Sequence, residues 1–284
     1  MVAYLQTRMG DLELKRLSPL NWIGGKSSHL DFIFSNFPSE HLHFIDVFGG
    51  SGAVLLNKQP SQIETYNDIN ENLVSYFRMM RDRPDELSRR IQLTPYSRRE
   101  FENCIRILKN PSSPEIEKAR AFFTVANQSF HQNVSCLGTG SWKVCINDVA
   151  GGTSSAVSKY HSKIKMLPAV SDRLKNVQIE CADFRKIIKR YDSETSFFYV
   201  DPPYPHESRA KRDLYEFEMN REQHIELLDM LNSMEGGALV STYQNDLYDS
   251  ELKNWIKIIG QEKRLPSSSK GRKESEILFR NYDI

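Results

Sequence analysis

The sequence predicts an α/β protein with a doubly wound, mostly parallel sheet that carries an inserted, mainly helical subdomain. Residues 43–56, HFIDVFGGSGAVLL, read as an apolar strand, a glycine turn and an apolar helix. Strand-like and helix-like segments then alternate over much of the chain, which is typical of a parallel sheet with helical crossovers. Residues 75–165 interrupt this alternation with consecutive helical segments, which indicates an insertion.

Four more segments are predicted to be strands because short apolar runs end in polar or turn residues. In an open parallel sheet the carboxyl ends of the strands lie along one edge, and ligands bind there. The candidate functional residues at these ends are therefore expected to converge. The segments are residues 61–70, ending at Asn67 and Asp68; 177–184, ending near Asp183; 195–204, ending at Asp201; and 236–243.

The predicted helices between these strands follow from apolar residues at helical spacing. Residues 71–87 keep this spacing as far as Pro84, and residues 184–191 form another such segment. Residues 220–234 begin with Asn220 as a helix cap and Gln223 three positions later, the pattern of a capping box. Residues 266–276 are predicted to be a basic loop between two final strands.

The insertion carries 15 Lys and Arg against 8 Asp and Glu, in a chain whose net charge is only +1. This uneven distribution supports a basic surface on the insertion. Helical segments at residues 97–110 and 115–130 precede a predicted hairpin, residues 134–147, which Gly138 and Gly140 interrupt. We therefore predict one domain formed by residues 1–74 and 166–284, and an inserted subdomain of residues 75–165.

The composition of the 284 residues is that of a globular protein, with 39% hydrophobic residues. No apolar run approaches the roughly 20 residues that span a bilayer, and no secretion signal is recognisable. We therefore expect a cytoplasmic protein without membrane contact. The four cysteines lack the short paired spacing of a zinc site, so that no metal is expected. No obligate protein partner is evident.

The glycine turn and Asp68 form a candidate binding feature. A glycine turn lets a ligand approach the backbone closely, and a carboxylate about 16 to 20 residues later can accept hydrogen bonds from ribose hydroxyls. Two other interpretations stay open. Glycines at strand-to-helix turns often serve tight packing, and an aspartate just before a helix is a common cap.

The segment Asp201-Pro202-Pro203-Tyr204 adds a candidate catalytic feature. The exocyclic amino group of adenine is a poor nucleophile because its lone pair is delocalised into the ring. If Asp201 and the carbonyl of Pro202 each accept one N–H, they favour a pyramidal nitrogen whose lone pair points at an electrophilic methyl group. The prolines would fix the direction of that carbonyl, and Tyr204 would offer a flat face on which the base stacks.

These motifs, in this order, closely resemble the Dam-type class of DNA adenine amino-methyltransferases, which use S-adenosylmethionine and have a Rossmann-like methyltransferase fold. The resemblance implies methylation of a flipped-out adenine in double-stranded DNA, with residues 75–165 as the target-recognition subdomain. Residues 19–30 are similar to the class's Trp-x-Gly-Gly-Lys motif, 44–54 to its cofactor motif, and 66–70, 181–184 and 201–204 to its ribose-binding, adenine-capping and catalytic motifs.

The resemblance also implies roles for individual residues. Lys26 would lie near the methionine carboxylate of the cofactor, and Asp46 would either orient the glycine turn or contact the cofactor amine. Asp201, Pro202 and Tyr204 would hold the target base. The residues implied to bind the cofactor are Trp22, Lys26, Asp46, Phe48, Gly50, Asp68, Asp183 and Phe184.

The predicted recognition hairpin departs from the class. Members that read GATC carry a hairpin similar to Gly-x-Asn-Gly-Leu-x-Arg-x-Asn, whereas residues 128–147 lack the arginine and the paired asparagines. We therefore expect a target other than GATC. Polar side chains read base edges in the major groove, although any one of them can equally face solvent. The candidate base contacts are Gln128, His131, Gln132, Asn133 and Lys143, and the candidate phosphate contacts are Arg98 and Arg99.

Two alternative functions stay open at this point. An enzyme on the same fold could methylate the amino group of cytosine or an adenine in RNA, although cytosine enzymes more often carry serine in place of Asp201. A DNA-binding relative could have kept the cofactor fold and lost turnover, which the intact Asp201, Pro202 and Tyr204 argue against. The sequence also leaves open a cognate restriction endonuclease as a functional partner.

Overall fold

The computed structural model describes residues 16–130, 141–205, 217–264 and 273–284. Within these residues a seven-stranded sheet is flanked by helices, and a two-stranded ribbon lies in the insertion. The strands are β1 (His43–Asp46), β2 (Ile63–Asn67), β3 (Val149–Ala150), β4 (Thr153–Ser154), β5 (Val177–Glu180), β6 (Ser196–Val200), β7 (Gly237–Thr242), β8 (Ile256–Arg264) and β9 (Lys273–Arg280).

The large sheet has the strand order β5-β2-β1-β6-β7-β9-β8. Its first five strands in this order are parallel, whereas β9 pairs antiparallel with both β7 and β8. The predicted α/β fold with a doubly wound, mostly parallel sheet is confirmed, and each of the five predicted strands is present. Most of the predicted basic loop between the last two strands lies outside the described residues.

Proline and capping residues set several helix boundaries. Pro84 opens helix α4 (Pro84–Gln92) rather than lying inside α3 (Glu71–Asp82), because the first turn of a helix accommodates a residue without an N–H. The predicted capping box of Asn220 and Gln223 is confirmed. In the described part of the chain, no helix is both long and apolar enough to cross a membrane. The helices are α1 (Leu30–Phe34), α2 (Ala53–Asn57), α3 (Glu71–Asp82), α4 (Pro84–Gln92), α5 (Arg98–Lys109), α6 (Glu115–Gln128), α7 (Ser155–Ile164), α8 (Leu167–Leu174), α9 (Phe184–Tyr191), α10 (Arg221–Ser233) and α11 (Asp246–Glu251).

The insertion shares a hydrophobic core with the sheet. Tyr76 on α3 contacts the rings of Phe122 and Phe123 on α6. Its neighbour Phe77 contacts Tyr66 on β2, with 4.7 Å between the ring centroids. All of these side chains are buried. The boundary predicted at residue 75 therefore falls inside α3, which packs against both parts, and the functional division of the chain stays a prediction.

Asn67 joins the carboxyl ends of three neighbouring strands. Its Nδ2 donates to the carbonyl oxygens of Val47, after β1, at 2.8 Å and of Ala182, after β5, at 3.0 Å. Its Oδ1 accepts the N–H of Ala182 at 2.9 Å. These bonds satisfy backbone groups that lie beyond the strand pairing, and they fix the sheet edge at which the candidate site lies.

Candidate active site

A cleft of about 820 Å³, its open mouth included, lies at the carboxyl ends of β1, β2 and β6. Open α/β sheets bind their ligands at this position, beyond the carboxyl ends of the strands. The cleft also has apolar surface from Ile69 and Phe217, which were not among the predicted site residues. Of the residues predicted to hold the cofactor or the reacting base, the cleft is lined by Trp22, Lys26, Asp46, Phe48, Gly50, Asp68, Asp201 and Pro202, and not by Asp183, Phe184 or Tyr204.

The glycine turn after β1 is held by residues at the end of β2. The Gly50 N–H donates to Asp68 Oδ2 at 2.9 Å, and the Tyr66 hydroxyl donates to the Gly50 carbonyl at 2.6 Å. Gly50 has a φ of +50°, and a Cβ there would lie 2.9 Å from Trp22 Nε1. A Cβ on Gly49 would lie 2.2 Å from the Tyr66 ring. Packing therefore requires both glycines, and both also line the cleft.

Asp68 does not cap the helix that follows it. Asn70 is the cap of α3, because its side chain accepts the N–H of Leu73 at 3.1 Å. Asp68 instead accepts the N–H groups of Gly50 at 2.9 Å and Asn70 at 2.8 Å. A carboxylate offers about four lone-pair sites, and the Ile69 N–H also hydrogen-bonds to Asp68, so that a site still remains for a ligand. The helix-cap interpretation of Asp68 is wrong, and its place on the cleft wall fits ligand binding.

Asp46 ends β1 and is only 1% exposed, although it reaches the cleft wall. Burial, together with the nearby charges of Asp201 and Asp68, raises the pKa of Asp46 well above its usual value. A backbone hydrogen bond from Leu55 in α2 acts in the opposite direction. A cationic ligand would offset the repulsion among these carboxylates, and the cleft therefore favours positive charge.

Lys26 is the centre of a buried polar group on the cleft wall. Its Nζ lies 2.8 Å from Asp201 Oδ1 and 3.4 Å from Glu276 Oε1. The Tyr204 hydroxyl accepts from Lys26 Nζ at 2.6 Å and donates to Glu276 Oε1 at 2.7 Å. Lys26 is 6% exposed and Glu276 1%. We call Lys26, Asp201, Tyr204 and Glu276 the lysine cluster.

The two carboxylates of the lysine cluster share one cation and differ in their titration. Burial and, less strongly, the charge of Glu276 raise the pKa of Asp201 to about 6, against the opposite effect of Lys26. Burial also disfavours the charged form of Glu276, but Lys26 and hydrogen bonds from Ser241 and Tyr204 outweigh that effect and lower its pKa. At neutral pH both carboxylates are therefore ionised, and together with Lys26 they carry one net negative charge.

Tyr204 is covered on several sides. The side chain is 5% exposed, its ring meets Tyr243 edge-on with 4.6 Å between centroids, and Lys26 Nζ lies 4.7 Å from the ring centroid. The predicted stacking role concerned the face of this ring. The structure adds a role for its hydroxyl, which links Lys26 to Glu276.

Asp183 and Phe184 do not line the cleft. Asp183 caps α9 by accepting the N–H of Arg185 at 2.9 Å, and its other oxygen pairs with the Arg185 guanidinium at 2.8 Å. Phe184 packs against Phe48, with 5.8 Å between the ring centroids. Phe184 therefore packs behind Phe48, which lines the cleft. The cofactor contacts of Asp183 and Phe184 stay a prediction.

Comparison with known proteins decides the family. Residues 22–265 match the family described as D12 class N6 adenine-specific DNA methyltransferase. The chain belongs to this family. It is therefore an adenine-specific DNA methyltransferase, as its motifs predict, and its substrate is DNA. Because members of this family are specific for adenine in DNA, the cytosine and RNA alternatives are disfavoured.

Named relatives agree with this assignment. The methyltransferase is 26% identical to the type II methyltransferase M.MjaIII of Methanocaldococcus jannaschii, over 93% of this chain and 98% of that protein. It is 25% identical to the type II methyltransferase M1.LlaDCHI of Lactococcus lactis subsp. cremoris, over 92% and 94% respectively. It is also 25% identical to the DNA adenine methylase of Haemophilus influenzae, over 68% and 65%.

Gln128 anchors the start of the predicted recognition hairpin in the methyltransferase. It is fully buried, its Nε2 donates to the carbonyl of Pro95 at 3.3 Å, and its Oε1 accepts from Trp142 Nε1 at 3.1 Å. Its backbone carbonyl accepts the N–H of Lys143 at 2.7 Å. Because no part of Gln128 reaches the surface, the prediction that it contacts a base is wrong for this conformation.

The other candidate DNA contacts differ from Gln128 in their exposure to solvent. Arg98 is exposed and lies over the Trp142 ring, 5.0 Å from its centroid, while Arg99 is exposed and Lys143 half-buried. The DNA contacts of all three stay a prediction. The remaining candidates, His131, Gln132 and Asn133, lie outside the described residues.

Proposed function

We propose that the methyltransferase transfers the methyl group of S-adenosylmethionine to the N6 amino group of an adenine flipped out of double-stranded DNA. The observation that carries this proposal is that Asp201 and Pro202 line the same cleft as the glycine turn and Asp68. A methyl donor held at the turn and an amine held at Asp201 would meet within one cavity. Holding two reactants in line supplies much of the acceleration of a two-substrate reaction.

The cleft residues fit S-adenosylmethionine. When bound, the cofactor supplies a methyl group on a positively charged sulfur, and it also carries an ammonium group and two ribose hydroxyls. Asp68 has an acceptor site left for a hydroxyl, and a cation would offset the repulsion among Asp46, Asp68 and Asp201. Trp22 and Ile69 offer apolar surface to a purine ring. The cleft wall is thus acidic and aromatic, which suits the positive charges and the purine ring of the cofactor.

The position of Lys26 supports a different role for it from the one that the resemblance implies. It was expected at the methionine carboxylate, but its Nζ lies 2.8 Å from Asp201 and is only 7% exposed as a side chain. A solvent-shielded ion pair of this length is held strongly. We therefore assign Lys26 to the orientation and charge of Asp201.

Asp201 and the carbonyl of Pro202 are the proposed acceptors for the two N–H groups of the adenine amine. Lys26 lies against Oδ1 of Asp201 and Tyr204 also hydrogen-bonds to this carboxylate, whose remaining lone pairs can accept one N–H. The ring of Pro202 fixes φ, so that its carbonyl keeps one direction without help from the substrate. A base inside a duplex cannot reach this cleft, and flipping it out costs a few kcal/mol that base binding must offset.

The pH dependence of the reaction follows from Asp201. The carboxylate accepts an N–H at full strength only when it is ionised, and burial raises its pKa to about 6. We expect kcat/KM for DNA to be constant at neutral pH and to fall as the pH drops through about 6. Initial rates at saturating cofactor, from about pH 5 to about pH 8, measure this profile. A profile without an acid limb in that range contradicts the assignment of Asp201.

The proposed function is tested by incubating the protein with methyl-labelled S-adenosylmethionine and unmethylated duplex DNA of mixed sequence, and in a parallel reaction with RNA. We expect label in N6-methyladenine only, and sequencing of the modified sites gives the target. Label in cytosine would support the cytosine alternative, and label in RNA but not DNA the RNA alternative. Cofactor binding by calorimetry without any transfer would identify an inactive relative. Modification confined to GATC would contradict the expectation drawn from the hairpin.

A further inference from the structure

Glu276 is the member of the lysine cluster that no motif marks. It lies on β9, beyond the residues that match the family, and its side chain is 1% exposed. Its Oε1 accepts from the hydroxyls of Tyr204 and Ser241 and lies 3.4 Å from Lys26 Nζ. Its Oε2 lies 3.8 Å from His29 Nδ1. A buried carboxylate with this many partners is built into the site, and it does not itself line the cleft.

The charge of Glu276 matters because one lysine faces two acids. Lys26 alone would neutralise Asp201, leaving an ion pair with no net charge beside the reacting amine. During transfer the amino nitrogen forms a bond to the methyl carbon as the carbon–sulfur bond breaks, and the electron pair of that bond stays on sulfur. The nitrogen then carries positive charge until one of its protons leaves to water. A net negative charge at the pocket stabilises this developing cation.

We propose that Glu276 is a positioning residue that holds Lys26 and Tyr204 and, by sharing the charge of Lys26, keeps the lysine cluster net negative beside the reacting amine. This inference rests on the proposed function, because it concerns the group that receives the adenine amine. Glu276 acts through Lys26 by sharing its charge, and through Tyr204 by accepting its hydroxyl hydrogen. It touches neither substrate.

Several other groups face Asp201 and define its titration. The acid on the neighbouring strand β1 is Asp46, whose charge is coupled to that of Asp201. Lys26 precedes α1 and is the cation in contact, while His29 reaches the far oxygen of Glu276. The hydroxyls that feel the charge of Asp201 are uncharged at neutral pH and belong to Tyr199 on β6, Tyr204 after it and Tyr248 on α11. Removal of the Glu276 charge alone therefore leaves Lys26 as the strongest charged influence on Asp201, beside the effect of burial.

The decisive variant is Glu276→Gln, which keeps the size and one acceptor oxygen of the side chain but removes its charge. We expect kcat to fall by at least about tenfold, since the pocket loses charge complementarity to the transition state. We also expect the acid limb of kcat/KM to move to lower pH. The negative charge of Glu276 raises the pKa of Asp201, and in the variant Lys26 acts on Asp201 alone. Cofactor affinity, measured by calorimetry, should change little.

Two further variants separate charge from structure. Glu276→Asp keeps the charge, so that the acid limb should stay close to its wild-type position even if kcat falls. Glu64→Gln is the matched control, because Glu64 is also a buried carboxylate paired with a lysine, Lys58, but at the opposite end of β2 from the cleft. It should lower the melting temperature and leave the acid limb in place.

The outcomes are distinct. A fall in kcat together with the acid shift in Glu276→Gln, and no shift in Glu64→Gln, supports the proposal. Unchanged kcat and acid limb, or a slower enzyme whose acid limb does not move, overturns it, because a structural role predicts no shift. If Glu276→Gln does not fold, Ser241→Ala serves in its place. The Ser241 variant lacks a hydrogen bond that stabilises the charged form of Glu276. An unchanged kcat in Ser241→Ala overturns the proposal. A wild-type protein that methylates no adenine refutes the proposed function instead.

Discussion

Replacing Asp201 by alanine should abolish methyl transfer while leaving a folded protein that binds the cofactor. The variant loses one of the two acceptors that orient the adenine amine, and the loss of one preorganised group of this kind costs at least about 100-fold in kcat. The fold should survive because Lys26, which pairs with Asp201 in the wild type, keeps Glu276 as a partner. Label transfer, calorimetry with S-adenosylmethionine and thermal unfolding measure the three properties separately.

Asp201→Asn refines this test. The amide keeps one acceptor oxygen in place but has no charge, so that its activity should lie between those of the alanine variant and the wild type. The acid limb near pH 6, which reports the ionisation of Asp201, should also disappear in the asparagine variant. A near-wild-type rate in Asp201→Ala would refute the mechanism.

The second large effect is expected on stability, from Lys26→Met. Methionine fills a similar volume, but Asp201 and Glu276 then remain buried beside each other without a cation. Leaving buried charge uncompensated costs about 3 to 5 kcal/mol in the free energy of unfolding. Activity should be lost as well, since repulsion raises the pKa of both carboxylates and protonated Asp201 is a poor acceptor.

The pH dependence of this loss identifies its cause. A carboxyl group whose pKa is raised in the folded state destabilises the protein above that pKa and has no such effect once it is protonated in both states. The difference in unfolding free energy between wild type and Lys26→Met should therefore be largest at neutral pH and shrink as the pH falls. Urea unfolding at two pH values measures it. A difference that is the same at both would indicate lost packing rather than lost charge compensation.

The residues on the cleft wall could be predicted because of where they stand relative to the strands. Asp46 ends an apolar strand and Asp68 and Asp201 each follow one directly, and parallel strands bring their carboxyl ends to one sheet edge. The sequence also carries the information for the glycine turn, since both Gly49 and Gly50 are needed by the packing of Tyr66 and Trp22. The fold class and the chemistry of the edge therefore follow from local pattern and topology.

Glu276 and Gln128 could not be placed in the same way. Glu276 reaches the site from an antiparallel strand, whose register against β7 is decided by tertiary packing. Its available signal is that it directly precedes the buried apolar run of Ile277, Leu278 and Phe279. Gln128 carries the donors and acceptors of a base-reading residue, but the pattern of α6 does not reveal that its last turn is buried on all sides. The chemistry of the Gln128 side chain, considered without its burial, therefore predicted the wrong role.

The lysine cluster also has a consequence for how the enzyme folds. Lys26 and Tyr204 are separated by 178 positions in the chain, and Tyr204 and Glu276 by 72. Contacts at such separations close long loops, so that they form only after most of the chain has become ordered. Strand β8 joins the sheet only through β9, and β9 carries Glu276. Helical structure should therefore return early in refolding and catalysis last, which makes recovered activity a measure of complete folding.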